Sequence, residues 1–318
     1  MTQPELKKFI QKTAAKLGFS HVGISSATHD NITIKHLDQW LNNGYHASME
    51  WMKIRSGERS EICQYFPEIK SVISLSMNYF TGNTSHNDNI GKISNYAWGD
   101  DYHMIIKPRL NDLLHTIKSK IPDTNGVVCI DTSPIMEKSW AQKGGLGWIG
   151  KHTNLITRDY GSWIFLGEIL LDIELEYDKP FIEDLCGSCT ACLDACPTNA
   201  FPEPYVLDSS KCISYLTIEH RGNLPVEMEN KLYGWIYGCD ICQEVCPWNI
   251  KFNRISEEIA FQPRSNLQER SLNDWSQLTQ EEFKVLFKNS AIKRTKFTGL
   301  KRNINALRKS MNESSETY

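Results

Sequence analysis

Apolar side chains first recur at helical spacing in "TQPELKKFIQKTAAKLG", where Leu6, Phe9, Ile10 and Leu17 fall on roughly one face. Thr2 in front and Gly18 behind supply the start and stop signals of a helix. "HVGIS" and "SVISLSMNY" then turn to β-branched residues between polar turns, which predicts strands. A second helical period runs through "DYHMIIKPRLNDLLHTIKSKI", with an irregular start expected because Pro108 has no backbone N–H. Strand "GVVCID", helix "PIMEKSWAQKG" and strands in "TNLIT" and "GSWIFLGEILLDIEL" follow. In that helix Pro134 suits the first position, which makes Ser133 the cap. The alternation predicts an α/β or α+β sheet domain over residues 1–177.

Residues 178–252 lack the apolar runs to build much core, so this segment is expected to fold around a metal and against the first domain. Residues 253–318 return to helical periodicity in "LTQEEFKVLF" and "LKRNINALRKSM", the latter with Leu300, Ile304, Leu307 and Met311 on one face. The one internal repeat is a doubled cysteine motif.

Composition narrows the class. The chain has 318 residues, 40% hydrophobic and 23% charged, which suits a folded protein of about two domains. "MTQPELKKFI" has no apolar run of the signal-peptide kind, and no stretch of about 18 apolar residues occurs, so a soluble cytoplasmic protein is expected. In a reducing cytosol, ten cysteines point to metal rather than disulfides. Eight of them lie between residues 186 and 246; Cys63 and Cys129 sit in apolar company and read as small buried hydrophobes. The net charge of −3 conceals a split: Lys288, Lys293, Arg294, Lys296, Lys301, Arg302, Arg308 and Lys309 occur without one acidic residue among them, and the rest of the chain is net −11.

"CGSCTACLDACP" has the spacing C-x2-C-x2-C-x3-C-P, the bacterial pattern for a four-iron four-sulfur cluster. In that pattern three thiolates wrap one cubane and the fourth reaches another. "GCDICQEVCPWN" repeats the ending with only three cysteines, and Cys212 in "KCISYLT" supplies the missing ligand. One cluster is therefore assigned Cys186, Cys189, Cys192 and Cys246, and the other Cys212, Cys239, Cys242 and Cys196. Two structural zinc sites would use the same residue types but favour separated pairs of cysteines over a C-x2-C-x2-C run.

"GLGWIGKH" matches the glycine and lysine positions of a phosphate-binding loop, but His152 stands where Ser or Thr would hold magnesium, and a helix rather than a strand precedes it. Gly144, Gly145, Gly147 and Gly150 predict backbone lying flat against either a large ligand or another chain segment. With Ser133 as cap, Asp131 at the end of a strand is left free. Beside apolar Cys129 and Ile130 its pKa could be raised for general-acid work.

"DTSPIMEKSWAQKGGLGWIGKHTNLI", "YGSWIFLGEI", "CGSCTACLDACPTNA", "CISYLTIEHRG" and "YGCDICQEVCPWN" resemble the epoxyqueuosine reductase family, as do "AWGDDYH" and "SAIKRTKFTGLKRNI", over about residues 5–310. The resemblance implies an α/β (α+β) cobalamin-binding catalytic domain at 1–177, a ferredoxin-like module with two 4Fe-4S clusters at 178–252, and a basic helical C-terminal segment at 253–318. It implies reduction of epoxyqueuosine to queuosine at the wobble position of tRNA, by a cytoplasmic monomer fed by an external electron donor. It makes Asp131 the proton donor and places the corrin between the glycine-rich segment and the clusters. Tyr96, Asp131, His152, Asn154, Tyr215 and Asp240 are its implied contacts. Many members continue into helical repeats, whereas this chain stops at Tyr318, so tRNA contacts made by those repeats would be absent or replaced, with the basic segment as the substitute. Two other readings share parts of this evidence. A ferredoxin fused to a structural domain predicts clusters without a corrin, and a reductive dehalogenase-like enzyme predicts the same cofactors with a small halogenated substrate.

Overall fold

The computed structural model describes residues 1–28, 30–82, 91–264, 267 and 270–315. Helix α1 (Gln3–Lys16) starts as the sequence predicts: Thr2 Oγ1 accepts from the Glu5 N–H and the Glu5 carboxylate accepts from the Thr2 N–H. It buries Leu6, Ile10 and Ala14. Strand β1 (His21–Ser26) follows, then α2 (Asn31–Asn42) and the short helices α3 (Glu50–Ile54), α4 (Ser56–Ser60) and α5 (Ile62–Tyr65). Strands β2 (Ser71–Asn78) and β3 (Lys92–Ile93) lead into the long helix α6 (Tyr102–Lys120).

Helix α6 departs from expectation. It begins regularly, with the Asp101 carboxylate accepting from the His103 N–H, and runs through Pro108 unbroken. Pro108 and Met104, whose carbonyl loses its partner, both lie on the exposed face, where water can serve that carbonyl.

Next come β4 (Gly126–Cys129), α7 (Glu137–Lys143), β5 (Trp148–Ile149), β6 (Leu155–Ile156) and β7 (Ile164–Leu171). The expected cap at Ser133 is not used: Ser133 and Pro134 lie in a bend, and α7 starts three residues past Pro134 with no side-chain cap.

The main sheet has the order β1-β2-β7-β4, antiparallel throughout. Ile24, Ile73, Ile169 and Val128 stand in one row across it. Every residue of β2 is buried, because α1 and α6 cover one face while α5 and α7 cover the other. This is an α+β arrangement: the helices alternate with strands in sequence, but no parallel crossover pairs strands of this sheet.

The cysteine-rich stretch carries only short elements: α8 (Ala191–Asp194), α9 (Ile213–Ile218), β8 (Trp235–Tyr237), α10 (Ile241–Glu244) and α11 (Pro247–Phe252). Strand β8 pairs in parallel with β3, which ties the stretch to the N-terminal half. Helices α12 (Leu272–Gln277), α13 (Gln280–Leu286) and α14 (Lys296–Ser315) close the chain. Leu300, Ile304 and Leu307 are buried in a cluster with Ile93, Trp98, Ile236 and Trp275, as their shared face predicts, while Met311 is 39% exposed.

Candidate active site and cysteine centres

The eight clustered cysteines form two groups. Cys186, Cys189, Cys192 and Cys246 line one cavity of about 160 Å³, closed by apolar Ile156, Leu185 and Trp248. Burial, then the charges of Cys246, Cys186 and Cys189, push the Cys192 thiol up to about 11. The second group is recognised by the same mutual influence. Cys212 and Cys239 are raised by burial first, Cys212 with Cys196 as a charged neighbour and Cys239 with Cys242 and Cys212. Cys242 is raised by burial and then by Cys212, with Cys192 and Cys196 also within reach. Cys246 thus stands with the first motif and Cys196 with the second, the exchange of last members expected from spacing.

Local structure explains the placement. Cys192 rides on α8 and Cys242 on α10, each a single helical turn before a Cys-Pro step. Cys246 then occupies the cap position of α11 with Pro247 at its first position. Sulfur atoms accept from protein donors: Trp148 Nε1 lies 3.5 Å from Cys186 Sγ and the Ala200 N–H 3.3 Å from Cys196 Sγ. Among the described residues, no three His, Cys, Asp or Glu side chains converge at single-ion spacing. The thiols ring a volume instead of a point.

A second cavity, about 220 Å³, has an apolar floor of Leu155, Ile164, Phe165 and Leu166. Its polar wall is Tyr79, Tyr96, Lys138, Asn154, Ser162 and Gln243. One side borders the second cysteine group, since Cys242 and Asp240 lie within electrostatic reach of Tyr79 and Gln243 follows Cys242 directly. Asp131 lies within reach of the hydroxyl of Tyr96, which lines the same cavity, and of that of Tyr102.

Asp131 sits two residues beyond the end of β4, in a turn with φ of 40°. Its side chain is 57% exposed, so the apolar enclosure expected from Cys129 and Ile130 is not what the carboxyl meets. Cys129 and Ile130 point into the core. Asp131 Oδ2 lies 3.3 Å from His103 Nε2, and the Asp131 N–H donates to Glu137 Oε1. Burial works against charge on His103, but the hydrogen bond to Asp101 and the nearby Asp131 carboxylate outweigh it and raise the imidazole to about 9. Glu137 and, behind it in β7, the fully buried Glu168 are both raised, first by burial and then by neighbouring carboxylates.

The remaining sequence candidates divide. Tyr96 and Asn154 line the second cavity. His152 lines the cysteine cavity instead; burial, then Lys138, lowers its pKa to about 4, and its Nε2 has no hydrogen-bond partner among the described residues. Tyr215 spends its hydroxyl on Ser48, 2.5 Å to Oγ and 3.1 Å to the N–H. Asp240 is buried and accepts from Ser94 Oγ, the Asn95 N–H and Asn95 Nδ2. Tyr215 and Asp240 therefore stand behind the cavity wall rather than in it.

Of the two readings of the glycine-rich segment, the structure selects packing against chain. A Cβ on Gly147 would stand 2.0 Å from the Ile156 carbonyl oxygen, and one on Gly23 would stand 2.1 Å from that of Gly144. The sequence reading missed His103, Glu137, Lys138 and Gln243. The signal available was the pairing of Asp101 with His103 at the head of a helix, and an acid-base pair, Glu137-Lys138, six and seven residues past Asp131.

The basic segment is partly internal. Lys301 Nζ donates to the Ser276 and Leu278 carbonyls, Arg302 to those of Leu216, His220 and Gly222, and Arg294 pairs with Glu219. Lys309 lies 3.2 Å from Glu229. Lys288, Lys293, Lys296 and Arg308 are exposed. Lys293 reaches electrostatically to Asp101, and Arg294 to Asp131, so the segment borders the Asp131 turn. No helix among the described residues is long and apolar enough to cross a membrane.

Known proteins share this arrangement. A family model described as epoxyqueuosine reductase QueG, DUF1730, matches residues 59–132, and one described as 4Fe-4S double cluster binding domain matches residues 185–249. The chain is 43% identical over 307 residues to an epoxyqueuosine reductase of Cellulophaga algicola, covering 96% of this chain and 99% of that one. It is 46% identical over 300 residues to one of Leadbetterella byssophila, covering 94% and 97%. Among solved structures, an epoxyqueuosine reductase with an epoxyqueuosine-modified tRNA-Tyr stem loop superposes with a TM-score of 0.89 at 28% identity, over 99% of this chain and 84% of that one. A Bacillus subtilis epoxyqueuosine reductase with its catalytic aspartate loop swung out of the active site gives the same TM-score, identity and coverage. A double-cluster domain set against an antiparallel α+β sheet, with this degree of identity along almost the whole chain, places the protein among reductases: it belongs to the epoxyqueuosine reductase family.

Proposed function

We propose that this chain reduces epoxyqueuosine to queuosine at the wobble position of a tRNA anticodon, with electrons relayed through two 4Fe-4S clusters to cobalamin and with Asp131 as the acid. One observation carries the reading: a single cavity is lined both by Tyr79, within electrostatic reach of Cys242, and by Tyr96, within electrostatic reach of Asp131. Electron supply and proton supply thus face the same space.

The donor sets fit the groups. Eight thiols in two crowded sets, five of them (Cys192, Cys212, Cys239, Cys242 and Cys246) raised by burial first, suit two cationic iron–sulfur cores that require deprotonated ligands. Cys186, Cys189, Cys192 and Cys246 hold one cluster, and Cys196, Cys212, Cys239 and Cys242 the other. When bound, they pass single electrons. The second cavity suits one flank of an amide-rimmed macrocycle, with an apolar floor and hydrogen-bonding groups at Tyr96, Lys138, Asn154 and Gln243. Cobalamin bound there supplies a cobalt centre that delivers electrons to the epoxide.

The chain's own part is to hold the cofactors, align the wobble base and move protons. Reduction of an epoxide to an alkene consumes two electrons and two protons and releases water, so the departing oxygen needs an acid. Asp131, half-exposed in its turn beside the cavity, is placed to provide it. The basic residues next to that turn hold the anticodon arm by its phosphates. On this reading residues 1–177 bind the corrin, 178–252 the clusters, and 253–318 the tRNA. A cytosolic monomer served by an external donor completes the picture.

The test is anaerobic reconstitution. About eight irons per chain and a corrin absorption spectrum that changes on binding are expected. Asp131→Asn should keep both cofactors and stem-loop affinity yet lose about 100-fold or more in turnover, the scale of general-acid removal. Clusters without corrin binding would return the chain to a plain electron-transfer role, and a fully active Asp131→Asn would remove the acid.

A further inference from the structure

An acid that works once per turnover needs a proton store that is full at neutral pH, and the structure offers one behind Asp131. His103 Nδ1 lies 2.7 Å from Asp101 Oδ1, and His103 Nε2, buried and with no hydrogen bond among the described residues, faces Asp131 Oδ2 across an ion-pair contact of 3.3 Å. Asp101 is itself fixed. Its carboxylate caps α6 by accepting the His103 N–H, and its own N–H donates to the Asn289 carbonyl at 2.7 Å. The imidazole also stacks on Tyr102, ring centroids 4.1 Å apart, which sets its plane.

We propose that His103 is the positioning residue and proton store for Asp131: its imidazolium, oriented by Asp101, sends its Nε2 proton through the Asp131 carboxyl to the oxygen released from the substrate epoxide. This rests on Asp131 being the acid. In the step, the Nε2–H bond of His103 breaks as an O–H bond forms on the Asp131 carboxylate, and that O–H bond breaks in turn as the proton passes to the substrate alkoxide, leaving neutral imidazole and the Asp131 carboxylate. His103 Nε2 is itself buried, so its proton is restored from water by way of the Asp131 carboxyl, whose side chain is 57% exposed. No electron moves in this step.

The electrostatic surroundings agree. Asp101 is held below the ordinary carboxylate range: burial opposes its charge, but hydrogen bonds from His103 prevail, with Lys293 adding a favourable charge. His103, raised to about 9 by Asp101 and Asp131 against the effect of burial, carries its proton at neutral pH. Glu137 and Tyr102 also face the pair, and Arg294 faces Asp131 from the basic segment. A transfer from imidazolium to alkoxide runs downhill, whereas a proton drawn directly from water at pH 7 would not be waiting.

The experiment uses the cluster- and cobalamin-loaded full chain. Imidazole nitrogens are titrated by NMR, with the His103 signal identified by its loss in His103→Gln. Titration near 9 is expected in the parent, at least one pH unit lower in Asp101→Asn. The rate of stem-loop reduction should fall above about pH 9 in the parent. That alkaline limb should move to lower pH in Asp101→Asn, and in His103→Gln disappear together with about 10-fold or more of the rate at neutral pH. Iron content and stem-loop affinity should not change. A His103 that titrates near 6.5, or a His103→Gln enzyme with the parental rate and alkaline limb, overturns the relay. If Asp131→Asn is dead in the same assay, the acid assignment survives that failure; if Asp131→Asn is active, it is the acid assignment that falls.

Discussion

Arg302 separates two roles that the basic segment combines. Its guanidinium donates to the carbonyls of Leu216 at 2.6 Å and of His220 and Gly222 at 2.9 Å, and to Asn303 Oδ1 at 2.8 Å. Those carbonyls end helix α9 and form the turn after it, so one side chain on α14 serves as the C-cap of α9. Hydrogen bonds from a charged donor contribute about 1.5–3 kcal/mol each when their partners are buried. Of the three carbonyl bonds only those to Leu216 and His220 are sheltered, so Arg302→Ser should cost about 3 kcal/mol. For a domain of this size that lowers an apparent thermal midpoint by about 5–10 °C. Exposed Lys293 and Lys296 and the surface-paired Arg294 should behave oppositely. Changed together to Ser, they should leave the midpoint within about 2 °C, because surface ion pairs contribute little. The slope of log affinity against log salt for a tRNA stem loop should become shallower by about 2–3, near one per lost phosphate contact. Thermal unfolding and salt-dependent binding of the two variants decide the matter. An Arg302→Ser chain that melts like the parent but loses its salt slope would show that the carbonyl bonds carry no stability and that Arg302 meets phosphate instead.

Three further outcomes are expected. Cys212→Ala should lose about half of the iron and keep the spectrum of one cluster, whereas Cys63→Ala should keep all of it, as iron analysis and absorption will show. Glu137 and Glu168 bind their protons more tightly folded than unfolded, so their contribution to stability is fully present below about pH 4.5 and is lost as pH rises from there through their raised folded values; Glu168→Gln should flatten that loss in a thermal-midpoint series across pH. Asp240→Asn puts an amide where three donors converge, and should weaken cobalamin binding by about 10-fold or more while leaving iron content near the parental value; unchanged cobalamin affinity would show that the carboxylate does not shape the cavity.

Features that depend on neighbours in sequence were legible from sequence. The Thr2 and Glu5 box, the strand alternation and the grouping of Cys246 with the first cysteine motif and of Cys196 with the second all involve short-range rules. Tertiary surroundings decided the rest. The start of α7 slipped past Pro134 because the chain from Ile130 to Ile135 is held by Asp131 bonding to Glu137 and by burial of Pro134 and Ile135, contacts that outweigh a local capping preference. Pro108 was tolerated because its missing bond faces water. The glycines of "GGLGWIG" could signal a ligand or a chain, and only the position of the Ile156 carbonyl chose between them. His103 was invisible as a functional group because its significance lies in Asp131, 28 positions away in the chain.

Asp240 shows how the cysteine centre and the cavity are made one object. It lies between Cys239 and Cys242, and its buried carboxylate holds Ser94 and Asn95, the two residues immediately before Tyr96. Tyr96 in turn lines the cavity, donates its hydroxyl proton toward Tyr237 at 3.0 Å, and meets the Tyr102 ring that leads to Asp131. Strand β8, which carries Tyr237, ends two residues before Cys239 and pairs with β3 just ahead of Ser94. The loop from Cys239 to Cys242 and the wall of the cavity are therefore joined twice, once by strand pairing and once by a carboxylate. A shift of the Cys239–Cys242 loop would carry Ser94, Asn95 and the tyrosine beyond them with it. Asp240, read from the sequence as a cofactor contact, does not line the cavity and bonds instead to the residues that hold its wall.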